Sequence, residues 1–256
     1  MKNSNALKNQ ATRRFLLIAC STALAAAFTA WLPQPAHADP VTPPAVPANV
    51  QVPEGAKAFL VGHATGTQNY VCQPSGAGFK FVLFTPQATL FGDNEKQIIT
   101  HYFSPNLSPI PPEIEGTIRA TWQDSHDTST VWASATPATT STDERFVQRG
   151  AVAWVRLTVV GSQGGPIGSN KLGPTTFIQR VNTSGGVAPP TGCSSLADVG
   201  NQAFQPYTAD YFFYTGGESN QATMQPAWSN PARPWKKRKG ESYETYESVS
   251  RRYGGA

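Results

Sequence analysis

The chain has 256 residues, with 20 Lys and Arg against 16 Asp and Glu, and only 14% of it is charged. Globular domains carry about 25% charged residues, so a length of one ordinary domain, or two small ones, with 22 Gly and 22 Pro indicates a loop-rich exported β domain and excludes a collagenous or wholly disordered chain. The formal charge of +4 sits at the ends: residues 1–38 hold Lys2, Lys8, Arg13 and Arg14 without an acid, residues 216–256 hold seven bases against four glutamates, and the stretch 39–215 keeps nine bases against twelve acids, which excludes specific nucleic-acid binding by that body.

The amino end reads as an export signal. Residues 1–14 are polar and basic, residues 15–32 (FLLIACSTALAAAFTAWL) are almost wholly apolar or small, and Ala36-His37-Ala38 ahead of Asp39 makes a small-x-small cleavage site. We expect cleavage after Ala38; the run is long enough to span a bilayer, so an uncleaved anchor is the alternative. Thr12-Arg13-Arg14-Phe15-Leu16-Leu17 resembles a twin-arginine signal with its aromatic and leucine one place early, which leaves the Sec and twin-arginine routes both open. Leu17-Ile18-Ala19-Cys20 also spells a lipobox that would acylate Cys20, but the short apolar run before that cysteine favours ordinary cleavage.

Without the leader two cysteines remain, Cys72 and Cys193, and an even pair in an exported chain reads as one disulfide, with two separate buried thiols as the alternative. Residues 39–53 (DPVTPPAVPANVQVP) carry five prolines and read as an extended linker. A domain then fills 54–215. Runs rich in Val, Ile, Phe, Tyr and Thr at 57–65, 68–72, 79–91, 97–103, 117–123, 128–135, 151–161, 173–181 and 209–215 alternate with Gly, Pro, Asn and Ser breaks, and no 3.6-residue apolar period interrupts them. The pattern predicts an all-β antiparallel β-sandwich or barrel, a monomer of one domain with helix confined to short turns. In 97–103 the alternation places Ile99, His101 and Phe103 on one face and Ile98, Thr100 and Tyr102 on the other.

Residues 104–115 (SPNLSPIPPEIE) carry four prolines and must form a surface loop, since proline cannot donate to a ladder. Residues 216–256 combine Gly, Ser, Asn, Pro and a KKRK run with few aliphatic side chains, the signature of a disordered tail. Its Trp228, Trp235, Tyr243, Tyr246 and Tyr253 lie among the basic residues, a texture that could contact polyanions or a membrane surface.

A series of words in order carries a resemblance: Gly66-Thr67-Gln68-Asn69-Tyr70-Val71-Cys72, Phe84-Thr85-Pro86-Gln87, Thr100-His101-Tyr102-Phe103, Gly116-Thr117-Ile118-Arg119-Ala120-Thr121-Trp122, Phe177-Ile178-Gln179-Arg180-Val181-Asn182 and Tyr207-Thr208-Ala209-Asp210-Tyr211. From about residue 50 to 215 the chain resembles the domain of unknown function family 3455, exported proteins of bacteria and fungi. The resemblance implies a single β-rich secreted domain bridged between its two cysteine motifs, and it brings no catalytic residues.

Several chemistries are open to the residues themselves. A metal centre or general base needs imidazoles and carboxylates gathered by the fold, so His63, His101 and Asp127 form the candidate catalytic cluster of a small secreted enzyme, with or without a metal. Against it, His101 shares a strand face with Ile99 and Phe103, the setting of a core histidine, and His126 stands among loop acids. Glu113 with Glu115 and Asp124 with Asp127 are candidate carboxylate pairs for a glycosidase, and all four fall in loops, where paired acids are normally solvated. No G-x-S-x-G, no catalytic S-x-x-K and no helix-opening G-x-G-x-x-G is present, so no nucleophile and no dinucleotide or other cofactor is expected. Trp122, Trp132 and Tyr102, with Trp154 and Tyr70, could instead form an aromatic platform for cell-wall or extracellular polysaccharide. Arg119 and Arg180 stand in apolar strands and need either a carboxylate such as Asp210 or a bound anion. The expected function is that of a non-enzymatic envelope or extracellular binding module.

Overall fold

A computed structural model describes residues 40–217; the leader with Cys20 and nearly all of the basic tail lie outside the described residues. Nine strands follow in order: β1 (Ala56–Ser75), β2 (Gly78–Phe91), β3 (Gln97–Pro105), β4 (Ile118–Asp124), β5 (Thr130–Ser134), β6 (Thr140–Ser141), β7 (Trp154–Gln163), β8 (Phe177–Gly185) and β9 (Gln202–Gly216). No α-helix occurs among the described residues, only three short 3-10 turns. No helix there is long and apolar enough to cross a membrane.

Each strand is antiparallel to its neighbours, in the order β5-β4-β3-β2-β1-β9-β8-β7-β6, and a further pairing of β5 with β7 closes eight of them into a barrel. Strand β6 pairs with β7 beyond β5 and continues the same seam after the turn at Pro137–Thr139. The two runs expected at 57–65 and 68–72 are one strand. Gly66, between them, lies so close to β2 that a Cβ would come 2.1 Å from the Gln87 carbonyl oxygen, and only glycine lets the backbones approach that far.

Period-two alternation separates the faces of the wall. Leu90, Ile99, Val131, Val159, Ile178 and Phe213 point inward and fill one end of the barrel completely. Outside, Trp154, Phe177, Val181, Phe212 and Tyr214 form a second apolar layer on β7, β8 and β9. The segment 41–53 covers it. Proline content predicts a free linker, but Val41, Val46 and Val52 pack on this layer and Val50 is fully buried. Gln179 donates from Nε2 to the Val50 carbonyl at 2.6 Å and accepts from the Tyr214 hydroxyl, and Arg156 donates to the Gln51 carbonyl at 2.9 Å. Extended backbone leaves carbonyls unpaired, and Gln179 and Arg156 meet that need, with Tyr214 holding Gln179 in place.

The proline-rich connection between β3 and β4 is likewise docked on the barrel. Asn106 is fully buried over Gly161 and donates to the Val160 carbonyl, and the Ile110 amide donates to the same oxygen at 2.8 Å. Cys72 on β1 and Cys193 in the β8–β9 connection form the expected disulfide, with Cα atoms 5.4 Å apart across 121 residues of sequence.

Candidate functional site

The end of the barrel opposite the apolar plug is open. There the inward side chains leave a cavity of about 370 Å³, within the range of small-molecule pockets, and eight strands enclose enough space for side chains or for one small ligand. The floor is aromatic. His101 from β3 stacks on Trp122 from β4 with ring centres 4.2 Å apart and planes 10° from parallel, and Tyr211 from β9 meets Trp122 edge-on at 5.6 Å. Phe103, Leu157 and Leu83 line the wall, and Gln68 and Arg180 add polar groups from β1 and β8.

His101 has a defined tautomer. Its Nδ1 lies 2.8 Å from the Thr121 carbonyl oxygen, which can only accept, so Nδ1 carries the hydrogen and Nε2 is an acceptor. Burial pushes the imidazole pKa down to about 3; the carbonyl bond opposes that shift and the Arg180 charge adds to it. His101 is therefore neutral at physiological pH.

Two buried donors on residues that line the cavity have no acceptor among the described residues: Nε1 of Trp122 and Nε2 of Gln68, both lying behind the cavity surface on residues 1% exposed. Gln68 lies close enough to Tyr207 to bear on its hydroxyl, but without a well-formed hydrogen bond from Nε2. Burial raises the Tyr207 pKa, and its hydroxyl sits 3.3 Å from that of Tyr211. Arg180 completes the polar wall. Its Nε and Nη2 donate to the Ala153 carbonyl at 3.3 and 2.9 Å, and no carboxylate lies within ion-pair distance of it among the described residues.

Asp210, the carboxylate offered as a partner for Arg119 or Arg180, is on the outer face. There it accepts from Asn182 at 2.7 Å and meets Nδ1 of His63 at 2.7 Å, while Nε2 of His63 meets Asp93 at 2.9 Å. Hydrogen bonds to Asp93 and then Asp210 raise the His63 pKa. His63 is exposed next to inward-facing Ala64, so His63 and His101 lie on opposite sides of the wall. Asp127 is elsewhere again, in the turn after β4. Burial works against its carboxylate, but hydrogen bonds from Ser129, Lys171 and Ser169 outweigh it and hold the group below the usual range. The three members of the expected cluster are not brought together, and no group of three metal-ligating side chains exists among the described residues.

Other candidates have structural partners. Glu113, from the proline-rich loop, forms a two-oxygen pair with Arg119 at the cavity rim, with both oxygens 3.0 Å from Nη2. Glu115 is exposed. Asp124 accepts the amides of His126 and Asp127 and lies 3.5 Å from the Lys171 ammonium. Trp132 faces outward, buried, with Nε1 donating to the Ser104 hydroxyl at 2.9 Å; Tyr102 is half-buried on the same side of the wall, and Trp154 is part of the outer apolar layer. Trp122 and Trp132 therefore share no surface. Sequence reasoning treated Trp122, His101 and Arg180 in three unrelated settings and passed over Gln68 and Tyr211. A glutamine at an inward position of the alternation Ala64, Gly66, Gln68 was the available signal.

Fold and cavity define a closed antiparallel barrel with a polar interior site. The chain belongs to the DUF3455 family, described as proteins of unknown function, whose family model matches residues 53–215. No curated protein and no solved structure matches it significantly.

Proposed function

We propose that this chain works outside the cytoplasm as a non-enzymatic binding protein that holds a small molecule inside the barrel. The observation that carries the reading is the pairing of an open cavity with buried donors that lack acceptors. A buried donor left unpaired costs about 1–3 kcal/mol, and a ligand that the Trp122 and Gln68 side chains shift to meet would remove that cost. The export-like leader and the Cys72–Cys193 bridge support the extracytoplasmic setting. A closed wall with a plugged far end suits holding a ligand, and the neutral His101 offers an acceptor rather than a charge.

The test is titration with the neutral fluorophore N-phenyl-1-naphthylamine, read by its own emission and by quenching of tryptophan. Saturable binding at one site per chain is expected, and Ala120→Phe, which places a ring across the cavity wall, should weaken it by about tenfold or more. Equal binding by wild type and Ala120→Phe, with both folded by circular dichroism, would refute the reading.

A further inference from the structure

We propose that the molecule held in the barrel is an organic monocarboxylate with a flat or slender apolar body, its carboxylate bound by Arg180 together with Trp122 and Gln68. This rests on the reading of the barrel as a ligand site and specifies the chemistry of that ligand.

Charge comes first. None of the residues that line the cavity is an acid, and two are arginines. Arg119 is neutralised by Glu113 at the rim. Arg180 is not: Ala153 supplies its only acceptor among the described residues, Nη1 is left without one, and its charge acts on His101, Tyr70 and Tyr207 around it. Arg180 is part-buried, and a cation partly withdrawn from water without an anion carries a cost that a ligand anion removes.

Donor count comes second. Arg180 Nη1 lacks an acceptor, and Trp122 and Gln68, which also line the cavity, carry donors just behind its surface, Nε1 and Nε2, that reach a ligand once those side chains shift. A carboxylate presents about four lone-pair sites on two oxygens in a plane, so it can satisfy three donors at once, and an amide or alcohol cannot. One unneutralised cation matches a single negative charge. A phosphate dianion would need more positive charge than the wall provides. Phe103, Leu83 and Leu157, with the stacked His101 and Trp122, leave the rest of the cavity apolar, and about 370 Å³ suits a body of one or two rings or a short chain.

The experiment uses the folded protein freed of bound material by unfolding and refolding with the disulfide intact. Cinnamate, cinnamamide and phenyl phosphate are titrated by calorimetry, beside the neutral naphthylamine probe, against wild type, Arg180→Gln and Arg180→Lys. Cinnamate should bind wild type about tenfold or more tighter than cinnamamide or phenyl phosphate. Arg180→Gln should abolish that preference while still binding the neutral probe, and Arg180→Lys should restore part of it. If the neutral probe binds wild type but cinnamate and cinnamamide bind alike, the carboxylate inference fails and the ligand site survives. If phenyl phosphate binds tightest, the anion class is wrong. If nothing binds, both readings fall. Should Arg180→Gln not fold, the wild-type ratio of cinnamate to cinnamamide decides alone.

Discussion

Trp122 and Trp132 lie on adjacent strands, face opposite sides of the wall, and are 1% and 3% exposed. Each can be shortened to phenylalanine at nearly the same loss of buried area, so that cost largely cancels; Trp122 also stacks on His101, and weakening the stack costs about 0.5–1.5 kcal/mol. The indole N–H does not cancel. Trp132 donates to Ser104 at 2.9 Å, and losing such a bond costs about 0.5–1.5 kcal/mol. Trp122 has no acceptor, and removing an unpaired buried donor recovers about 1–3 kcal/mol. Trp122→Phe should therefore leave the ligand-free protein more stable than Trp132→Phe by about 2 kcal/mol. Equilibrium urea unfolding of the two variants and wild type gives the difference, provided the slope with denaturant stays constant. Equal destabilisation, or a greater loss at Trp122, would show that this N–H is already satisfied in solution and would undercut its assignment to a ligand.

His63 should show a native pKa above its ordinary 6.5 in an NMR titration, and Asp93→Asn should lower it. Because the folded value is raised, the stabilising contribution is complete below 6.5 and is lost as pH rises through the folded value; a native pKa at or below 6.5 would contradict the geometry. Cys72→Ser with Cys193→Ser releases a loop spanning 121 residues and should cost about 4–5 kcal/mol in urea, less any strain the bridge imposes; a loss below about 1 kcal/mol would mean that the loop is already constrained without the bond.

Local pattern carried much of the fold. Ile99 and His101 point inward as their alternation implies, and Cys72 and Cys193 meet. Alternation has the same period in a sandwich and in a barrel, however, and the pairing of β5 with β7 that distinguishes them joins residues about thirty apart whose contact no single run encodes. The segment 41–53 read as a linker because its prolines are conspicuous and its four spaced valines form no periodic pattern; only the outer layer of β7, β8 and β9 gives those valines a surface. The cavity was hidden for a related reason. Gln68, Trp122 and Arg180 come from β1, β4 and β8, and each has an ordinary structural explanation until the closed wall brings all three to one space.

Strand β1 has a further consequence. It pairs along one edge with β2, which follows at once, and along the other with β9, from Ala56 opposite Gly216 to Val71 opposite Gln202. A chain made from its amino end must keep that second edge waiting until nearly the whole domain has emerged. The apolar surface that 41–53 covers is also made largely of late residues, so the earliest part of the domain depends on the latest for its partners. Such sequence-distant contacts slow folding and leave an open strand edge exposed in the interval. The ring therefore has no stable half: a chain stopped before β9 would keep an unpaired edge on β1, a severed barrel and an uncovered outer layer, and would be prone to join a second chain by that edge.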